Sequence, residues 1–203
     1  MENEQEKDIL TPKEKKLDFG KNLLLYVHDL SYLIAIMMIV FLLLFRVVVV
    51  SGSSMEDTLK NGDYLLLLSN VFFTEPKQGD VIVASKDSFE NGIPIVKRVI
   101  AVAGQTVRIE ASSGHVYVDG ELIEENYIYH DPYYTYDRDY EITVDEGCIF
   151  VMGDHRRVSF DSRNGQIGLL DKREVLGKAI FLFLPGVDEI TKTRDFSRIR
   201  VLP

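Results

Sequence analysis

The sequence predicts a mainly β domain, a coiled sheet or partly open barrel, preceded by one N-terminal transmembrane helix. Three observations favour this fold class. An almost uninterrupted apolar run occupies residues 30–45, short segments rich in β-branched and aliphatic residues recur after residue 51, and Asn-Gly, Gln-Gly and Ala-Gly turn signals separate those segments. Frequent short strands with few helical periods are typical of sheets that coil or partly close.

The apolar run predicts a membrane span. The valines at 47–50 extend it past Arg46, which can snorkel, and together they approach the hydrocarbon thickness of about 30 Å. A buried core helix would carry a polar face, and a cleaved secretory signal would end in a small-x-small site; the segment has neither feature. We therefore predict a cytoplasmic tail at 1–28, a transmembrane helix at 29–50 and an extracytoplasmic domain at 51–203.

Lysines are distributed unevenly about the span. The tail carries Lys13, Lys15, Lys16 and Lys21, whereas Lys60 is the only basic residue in 51–65. Because positive charge favours the cytoplasmic side, the N-terminus is predicted to be cytoplasmic and the protein to cross the cell membrane once.

Composition excludes several classes of function. The 203-residue chain has a formal net charge of −9, which makes it a poor nucleic-acid binder. Its single cysteine, Cys148, cannot form an internal disulfide, and no Cys/His spacing resembles a zinc site. We expect neither a metal nor a cofactor.

The predicted strands lie at 63–68, 80–85, 94–102, 106–110, 115–118, 148–152 and 178–184. Between two of them, residues 125–139 are dense in tyrosine and acidic residues. We interpret this segment as an exposed hairpin whose tyrosines pack on the sheet edge with their hydroxyls in water, in preference to a dedicated binding surface.

Two polar residues are candidates for chemistry. Ser54 follows the span in a Gly-Ser turn, where its hydroxyl could attack a substrate, although most such turns are flexible connections. Lys97 shares a strand face with Ile95 and Val99, so burial could lower its pKa from about 10.4 and yield a neutral base. A surface lysine paired with a carboxylate is the alternative that the strand pattern alone favours. None of the four histidines is part of a serine-hydrolase motif such as Gly-x-Ser-x-Gly, so the sequence gives little support to a Ser-His-Asp triad.

Five segments of the chain, taken in order, carry distinctive motifs. They are GSSMEDTL at 52–59, GDVIV at 79–83, KRVIAVAG at 97–104, GDHRRVSFDSR at 153–163 and GKA at 177–179. The first, third and fourth are similar to the patterns G-x-S-M-x-P-T-L, K-R-V-I-G-x-P-G and G-D-N-R-x-x-S-x-D-S-R. Together the five segments resemble the bacterial type I signal peptidases, in the short single-span form, and the resemblance extends from the span to about residue 185.

The resemblance implies a membrane-anchored Ser/Lys endopeptidase. It would remove signal peptides from exported preproteins after a small-x-small motif such as Ala-x-Ala, with Ser54 as nucleophile and Lys97 as general base. The supporting positions that it implies are Gly52, Ser53, Ser159, Asp161 and Arg163. The implied partners are signal peptides, the lipid bilayer and, transiently, the export machinery.

The resemblance also implies roles for those positions. Ser159 would hydrogen-bond the lysine, and Asp161 would form a structural ion pair with Arg163. The Ser54 N–H can supply one oxyanion donor, but the second is unassigned because Gly52 stands where some relatives carry a hydroxyl.

Four positions depart from the family pattern, namely Asp57, Ala101, Ala103 and His155. Two of them replace prolines, which should loosen the loops and affect rate without removing a proton-transfer group. The alternatives are a LexA-like self-cleaving protease, a specialised Ser/Lys processing protease, and a non-enzymatic membrane-anchored β domain that binds exported peptides.

Overall fold

The computed structural model describes residues 12–73, 75–87, 89, 92–129, 138–188 and 190–203, with side chains from residue 22 onward. The chain divides into two compact units, Met1–Leu43 and Leu44–Pro203.

The described part of the first unit is helical, and this helix, α1 (Pro12–Leu44), ends at the first residue of the second unit. Proline suits the first helical position, where its missing N–H leaves no bond unmade. The part from Asn22 to Leu44 has 23 residues, equivalent to about 35 Å of helix, and includes an 18-residue stretch with a mean hydropathy of 2.2. The helix is therefore long and apolar enough to cross a membrane, and it begins earlier than the sequence predicts.

The C-terminal limit predicted for this helix is wrong. Residues 45–49 form a strand, β1 (Phe45–Val49), instead of continuing the helix toward residue 50. This strand pairs antiparallel with residues 64–68, in a register that matches Phe45 with Leu68 and Val49 with Tyr64. Consecutive valines suit an extended backbone better than a helix, and a pairing partner is available downstream.

The second unit is mainly β, as predicted. The strands that follow β1 are β2 (Tyr64–Ser69), β3 (Val81–Ala84), β4 (Ile95–Val102), β5 (Thr106–Ile109), β6 (Val116–Val118), β7 (Glu121–Leu122), β8 (Tyr140–Thr143), β9 (Cys148–Met152), β10 (Leu170–Asp171), β11 (Val175–Leu184) and β12 (Arg200–Val201). All seven strands predicted beyond the span are present. The additional strands have two to five residues, which is too short for a clear period-2 signal.

The strands form two antiparallel sheets. The larger has the order β1-β2-β11-β3-β4-β9-β10, with β12 also paired to β11, and the smaller has the order β7-β6-β5-β8. The large sheet thus begins at β1 and ends at β10 in the described part of the chain, in agreement with the prediction of a coiled, partly open sheet.

Strand β4 lies in the middle of the large sheet and carries Lys97. It pairs with β3 on one side, where Lys97 faces Ile82, and with β9 on the other side from Arg98 onward. Residues 96–101 are all buried because apolar clusters pack against both faces of the strand. The fold therefore places a lysine where solvent is largely excluded.

Candidate active site

Ser54 lies just beyond the strand that follows the helix. The β1–β2 pairing continues past β1, since Val50 N–H donates to Asp63 O at 2.8 Å and Gly62 N–H donates to Val50 O at 2.8 Å. After Ser54 the chain turns, and the buried side chains of Met55 and Leu59 anchor the turn in the core. Ser54 is thus presented by a loop that is fixed at both ends.

The two residues that precede Ser54 shape this loop. Gly52 has a φ of 92°, a conformation that favours glycine, and its N–H donates to Asn61 Oδ1 at 3.1 Å. Ser53 contributes its carbonyl, which accepts the Glu56 N–H at 3.2 Å. Both residues therefore support the Ser54 loop through the main chain, and the second oxyanion donor stays unassigned.

Lys97 contacts Ser54 directly. Its Nζ lies 2.8 Å from Ser54 Oγ and 3.0 Å from the carbonyl oxygen of Val96. The residue is 4% exposed, so the alternative of a surface lysine paired with a carboxylate is wrong. Residues that are 43 positions apart in the sequence meet because β4 lies close to the Ser54 loop.

Burial lowers the pKa of Lys97 from 10.5 to about 8. The negative charge of Asp161 opposes this shift, whereas the positive charge of Arg163 adds to it. Roughly a tenth of the lysine is then neutral at pH 7, against a far smaller fraction for an exposed lysine. The amine next to Ser54 can therefore accept a proton near neutral pH.

Ser159 does not make the hydrogen bond to Lys97 that the resemblance implies. Its buried Oγ makes no hydrogen bond to the lysine in the described part of the chain, and it lies close to the Asp161 carboxylate, whose pKa it helps to lower. The side chain lies against Gly153, and a methyl group at Gly153 would collide with both Ser159 and the Ser54 carbonyl. Gly153 therefore allows close packing of these two serines, a role that the sequence interpretation did not assign to it.

Asp161 and Arg163 form the predicted ion pair. Arg163 Nε and Nη2 each lie 2.7 Å from an oxygen of Asp161, and Gly153 N–H donates to the same carboxylate at 3.0 Å. Burial alone would raise the pKa of Asp161, but the hydrogen bonds and charge of Arg163 hold it below its usual range. Asp161 therefore stays negatively charged near Lys97, and its bonds to Gly153 and Arg163 tie the chain between residues 153 and 163 into a closed loop.

A second buried ion pair was not singled out from the sequence. Arg98, next to Lys97, donates through Nε and Nη2 to Asp154 at 2.8 and 2.7 Å. Its Nη2 also lies 3.2 Å from Thr58 Oγ1, in the turn after Ser54. An arginine in an apolar strand needs a buried carboxylate partner, so the strand pattern contained this signal.

The interpretation of the tyrosine-rich segment is wrong for Tyr127. Its hydroxyl donates to Glu125 Oε1 at 3.0 Å, and its ring lies 3.9 Å from the guanidinium carbon of Arg98. Residues 130–137 of this segment lie outside the described part of the chain. The segment reaches the candidate site instead of projecting wholly into water.

Known proteins resemble this chain over most of its length. The family model for signal peptidase, peptidase S26, matches residues 23–184. The chain is 32% identical over 189 residues to signal peptidase I of Bacillus licheniformis, covering 89% of this chain and 98% of the relative. It is 36% identical over 144 residues to the probable signal peptidase I-1 of Synechocystis sp., covering 68% and 70% respectively.

Among solved structures, a signal peptidase I from Enterococcus faecalis V583 is 29% identical, with a TM-score of 0.44, covering 51% of this chain and 96% of that chain. The family match includes the Ser54 loop, β4 and the loop at 153–163. The chain therefore belongs to the signal peptidase family, peptidase S26.

Proposed function

We propose that this signal peptidase cleaves its substrates with a Ser/Lys dyad, in which Ser54 is the nucleophile and Lys97 the general base. The observation that carries the proposal is the 2.8 Å contact between Lys97 Nζ and Ser54 Oγ. A neutral amine at hydrogen-bond distance can remove the hydroxyl proton, and burial makes neutral amine available near physiological pH.

In the acylation half of the reaction, the Ser54 proton passes to Lys97 Nζ while Oγ bonds to the carbonyl carbon of the scissile peptide. The Ser54 N–H donates to the oxyanion of the tetrahedral intermediate. When that intermediate collapses, the ammonium of Lys97 gives its proton to the departing amine. The products are an ester on Ser54 and the released mature chain.

In the deacylation half, Lys97 is neutral again and removes a proton from water. The resulting hydroxide attacks the ester carbonyl, and the proton returns to Ser54 Oγ as the ester bond breaks. Atoms balance over the cycle because one water is consumed for each peptide bond that is cut, and both side chains end in their starting states.

The substrate proposal rests on a strand edge beside the dyad that has no partner strand among the described residues. Strand β9 pairs with β4 only from Arg98 onward, so Ile95–Lys97 pair with β3 alone in that part of the chain. An extended peptide can add to such an edge through main-chain hydrogen bonds, and small side chains let it approach closely. We propose that the substrate lies here in extended form and is cut after an Ala-x-Ala-like motif.

The proposed cellular arrangement follows from α1 and the lysines before it. The helix would anchor the enzyme in the bilayer of the cell membrane, with the N-terminus in the cytoplasm and residues after Leu44 outside. The active site would then meet preproteins as they leave the export machinery, with which contact would be transient.

The test is cleavage of a purified preprotein with an Ala-x-Ala junction by the detergent-solubilised protein. Wild type should release a mature chain whose first residue follows the motif, and folded Ser54→Ala and Lys97→Ala should release none. If folded wild type fails on several such preproteins, the peptide-binding alternative replaces the proposal; if either variant retains full activity, the dyad is wrong.

A further inference from the structure

A buried ion pair joins the β7–β8 connection to the loop that carries Ser159. Glu125 is 9% exposed at its side chain, and both of its oxygens contact the guanidinium of Arg156, with Nη1 to Oε2 at 3.0 Å and a second contact from Nη2 to Oε1. Removing two charges from water is costly unless the geometry compensates for it. This pair is therefore a specific connection between two segments that are 31 positions apart.

Arg156 also forms hydrogen bonds within the 153–163 loop. Its Nε donates to the Gly153 carbonyl at 3.0 Å, and its own carbonyl accepts a bond from Arg163 Nη2 at 2.8 Å. Gly153 and Arg163 also both donate to the Asp161 carboxylate. The position of Glu125 is thereby coupled to the position of the Asp161 charge.

Tyr127 extends the connection to β4. Its hydroxyl donates to Glu125, and its ring packs under Arg98, the neighbour of Lys97. Burial, followed by the charge of Glu125, raises the pKa of Tyr127, so the hydroxyl stays protonated and remains a donor at physiological pH. The interaction between the ring and the guanidinium adds to the ion pair that Arg98 makes with Asp154.

Tyr129 reaches the Ser54 loop through His155. The Tyr129 N–H donates to Asp154 O at 3.0 Å, and its ring centroid lies 4.4 Å from that of His155. The His155 N–H in turn donates to the Ser54 carbonyl at 3.0 Å. One short segment, residues 125–129, therefore contacts neighbours of both members of the dyad.

We propose that residues 125–129, here called the clamp segment, position the dyad, and that Glu125 is the positioning residue that holds the 153–163 loop against Lys97 and Ser54. The proposal rests on the proposed peptidase function. Glu125 contacts no reacting atom in the proposed mechanism; it acts through Arg156 and the loop. Its removal should loosen the loop and admit water to Lys97.

Burial and the charged groups around Lys97 determine how its pKa would change if the 153–163 loop became looser. Burial is the main cause of the low pKa of Lys97, Asp161 and Asp154 oppose it, and Arg163 supports it. Water that enters the site would weaken the effect of burial, and the pKa of Lys97 would move from about 8 toward 10.5. A merely structural role for Glu125 would leave this pKa unchanged in the protein that remains folded.

The experiment compares Glu125→Gln with Glu124→Gln in the full-length protein in detergent. Both changes remove one negative charge, but Glu124 is exposed. For Glu125→Gln we expect kcat at pH 8 to fall about tenfold or more with KM unchanged, and the acid limb of the pH profile to move to higher pH. Glu124→Gln should match wild type in all three respects.

A second readout does not depend on activity. Competitive acetylation of lysines across pH, followed by mass spectrometry, reports the pKa of Lys97 in each variant. If wild type cleaves nothing but Glu125→Gln still raises this pKa, the proposed function fails and the clamp stands. If folded Glu125→Gln matches Glu124→Gln in kcat, pH profile and labelling, the clamp proposal is overturned.

A third variant covers the case in which Glu125→Gln does not fold. Tyr127→Phe keeps the ion pair and the ring on Arg98, and loses only the hydrogen bond to Glu125. We expect a smaller change in the same direction, both in kcat and in the pKa of Lys97. A profile identical to that of wild type would refute the clamp.

Discussion

Gly153→Ala tests whether close packing of the two serines matters for catalysis. Gly153 lies between Ser159 and the Ser54 carbonyl, and a Cβ there would collide with the Ser54 carbonyl oxygen and lie 2.6 Å from Ser159 Cβ. Gly165 lies just after the 153–163 loop, and a Cβ added at Gly165 would meet no atom within 4 Å. Gly165→Ala is therefore the matched control for adding one methyl group.

The size of the effect follows from the distances. Carbon atoms that are not bonded rest about 3.5 to 4.0 Å apart, so the added methyl must push Ser159 or the Ser54 backbone by about 1 Å. A misplacement of about 1 Å in an active site can lower the rate about a hundredfold. Overpacking should also lower the free energy of unfolding by about 1 to 3 kcal/mol.

The assay is cleavage of the Ala-x-Ala preprotein at saturating substrate, with the folded fraction measured in parallel by denaturant unfolding followed by tyrosine fluorescence. Gly153→Ala should lose most of its kcat while remaining folded, and Gly165→Ala should keep the wild-type kcat. A folded Gly153→Ala protein with wild-type kcat would refute the role assigned to this close contact.

Three further predictions concern charge and packing. Asp161→Asn removes the negative charge that raises the pKa of Lys97, so the acid limb of the activity profile should move to lower pH, and loss of the buried partner of Arg163 should cost about 3 to 5 kcal/mol of stability. Between pH 8 and 10.5, Lys97 of the unfolded chain keeps a proton that Lys97 of the folded protein has lost. The free energy of unfolding of wild type should therefore rise over this pH range by about 3 kcal/mol relative to that of Lys97→Met. Denaturant titration at each pH measures the difference. Leu202→Ala should cost about 2 to 5 kcal/mol in the same titration, because this buried side chain packs in the cluster that contains Met55.

Each of these predictions has an outcome that contradicts it. An acid limb that moves upward in Asp161→Asn would mean that water entry outweighs the lost charge. A difference in stability between wild type and Lys97→Met that stays constant from pH 8 to 10.5 would mean that the folded lysine titrates normally. For Leu202→Ala, a decrease in the free energy of unfolding of less than about 0.5 kcal/mol would mean that Leu202 contributes little to the apolar cluster that contains Met55.

The sequence predicts five strands of the large sheet, namely β2, β3, β4, β9 and β11, but it misses β1, β10 and β12 and places the end of the helix wrongly. Residues 47–50 are four valines, and an apolar run of this kind satisfies both a membrane helix and a buried strand. Residues 45–49 form a strand because they pair with residues 64–68, and no local sequence pattern reveals this nonlocal interaction. Propensity favours the strand, but the length needed to span a bilayer argued for the helix.

The contact between Lys97 and Ser54 illustrates a different limit. Alternation along β4 indicates which residues share a face with Lys97, but it does not tell whether that face is covered. Burial of Lys97 depends on packing against both faces of the strand by residues far away in sequence. The pairing with Ser54 could be anticipated only from the order of several motifs, and the hydrogen-bond partner implied for Ser159 was wrong.

The clamp segment could be noticed but not interpreted from the sequence. Its two tyrosines and Glu125 are conspicuous, yet nothing local shows that Glu125 pairs with Arg156 or that Tyr127 packs under Arg98. Long-range ion pairs of this kind become visible only when the strands that carry the two segments are placed.

The most direct test of the central claim is the pH dependence of kcat/KM for preprotein cleavage by wild type. This quantity reports the pKa of the essential base in the free enzyme. If Lys97 is that base, activity should rise with pH along a single acid limb with its midpoint at about 8. A midpoint at about 6.5, the ordinary value for histidine, or a flat profile from about pH 6 to 10, would contradict the assignment.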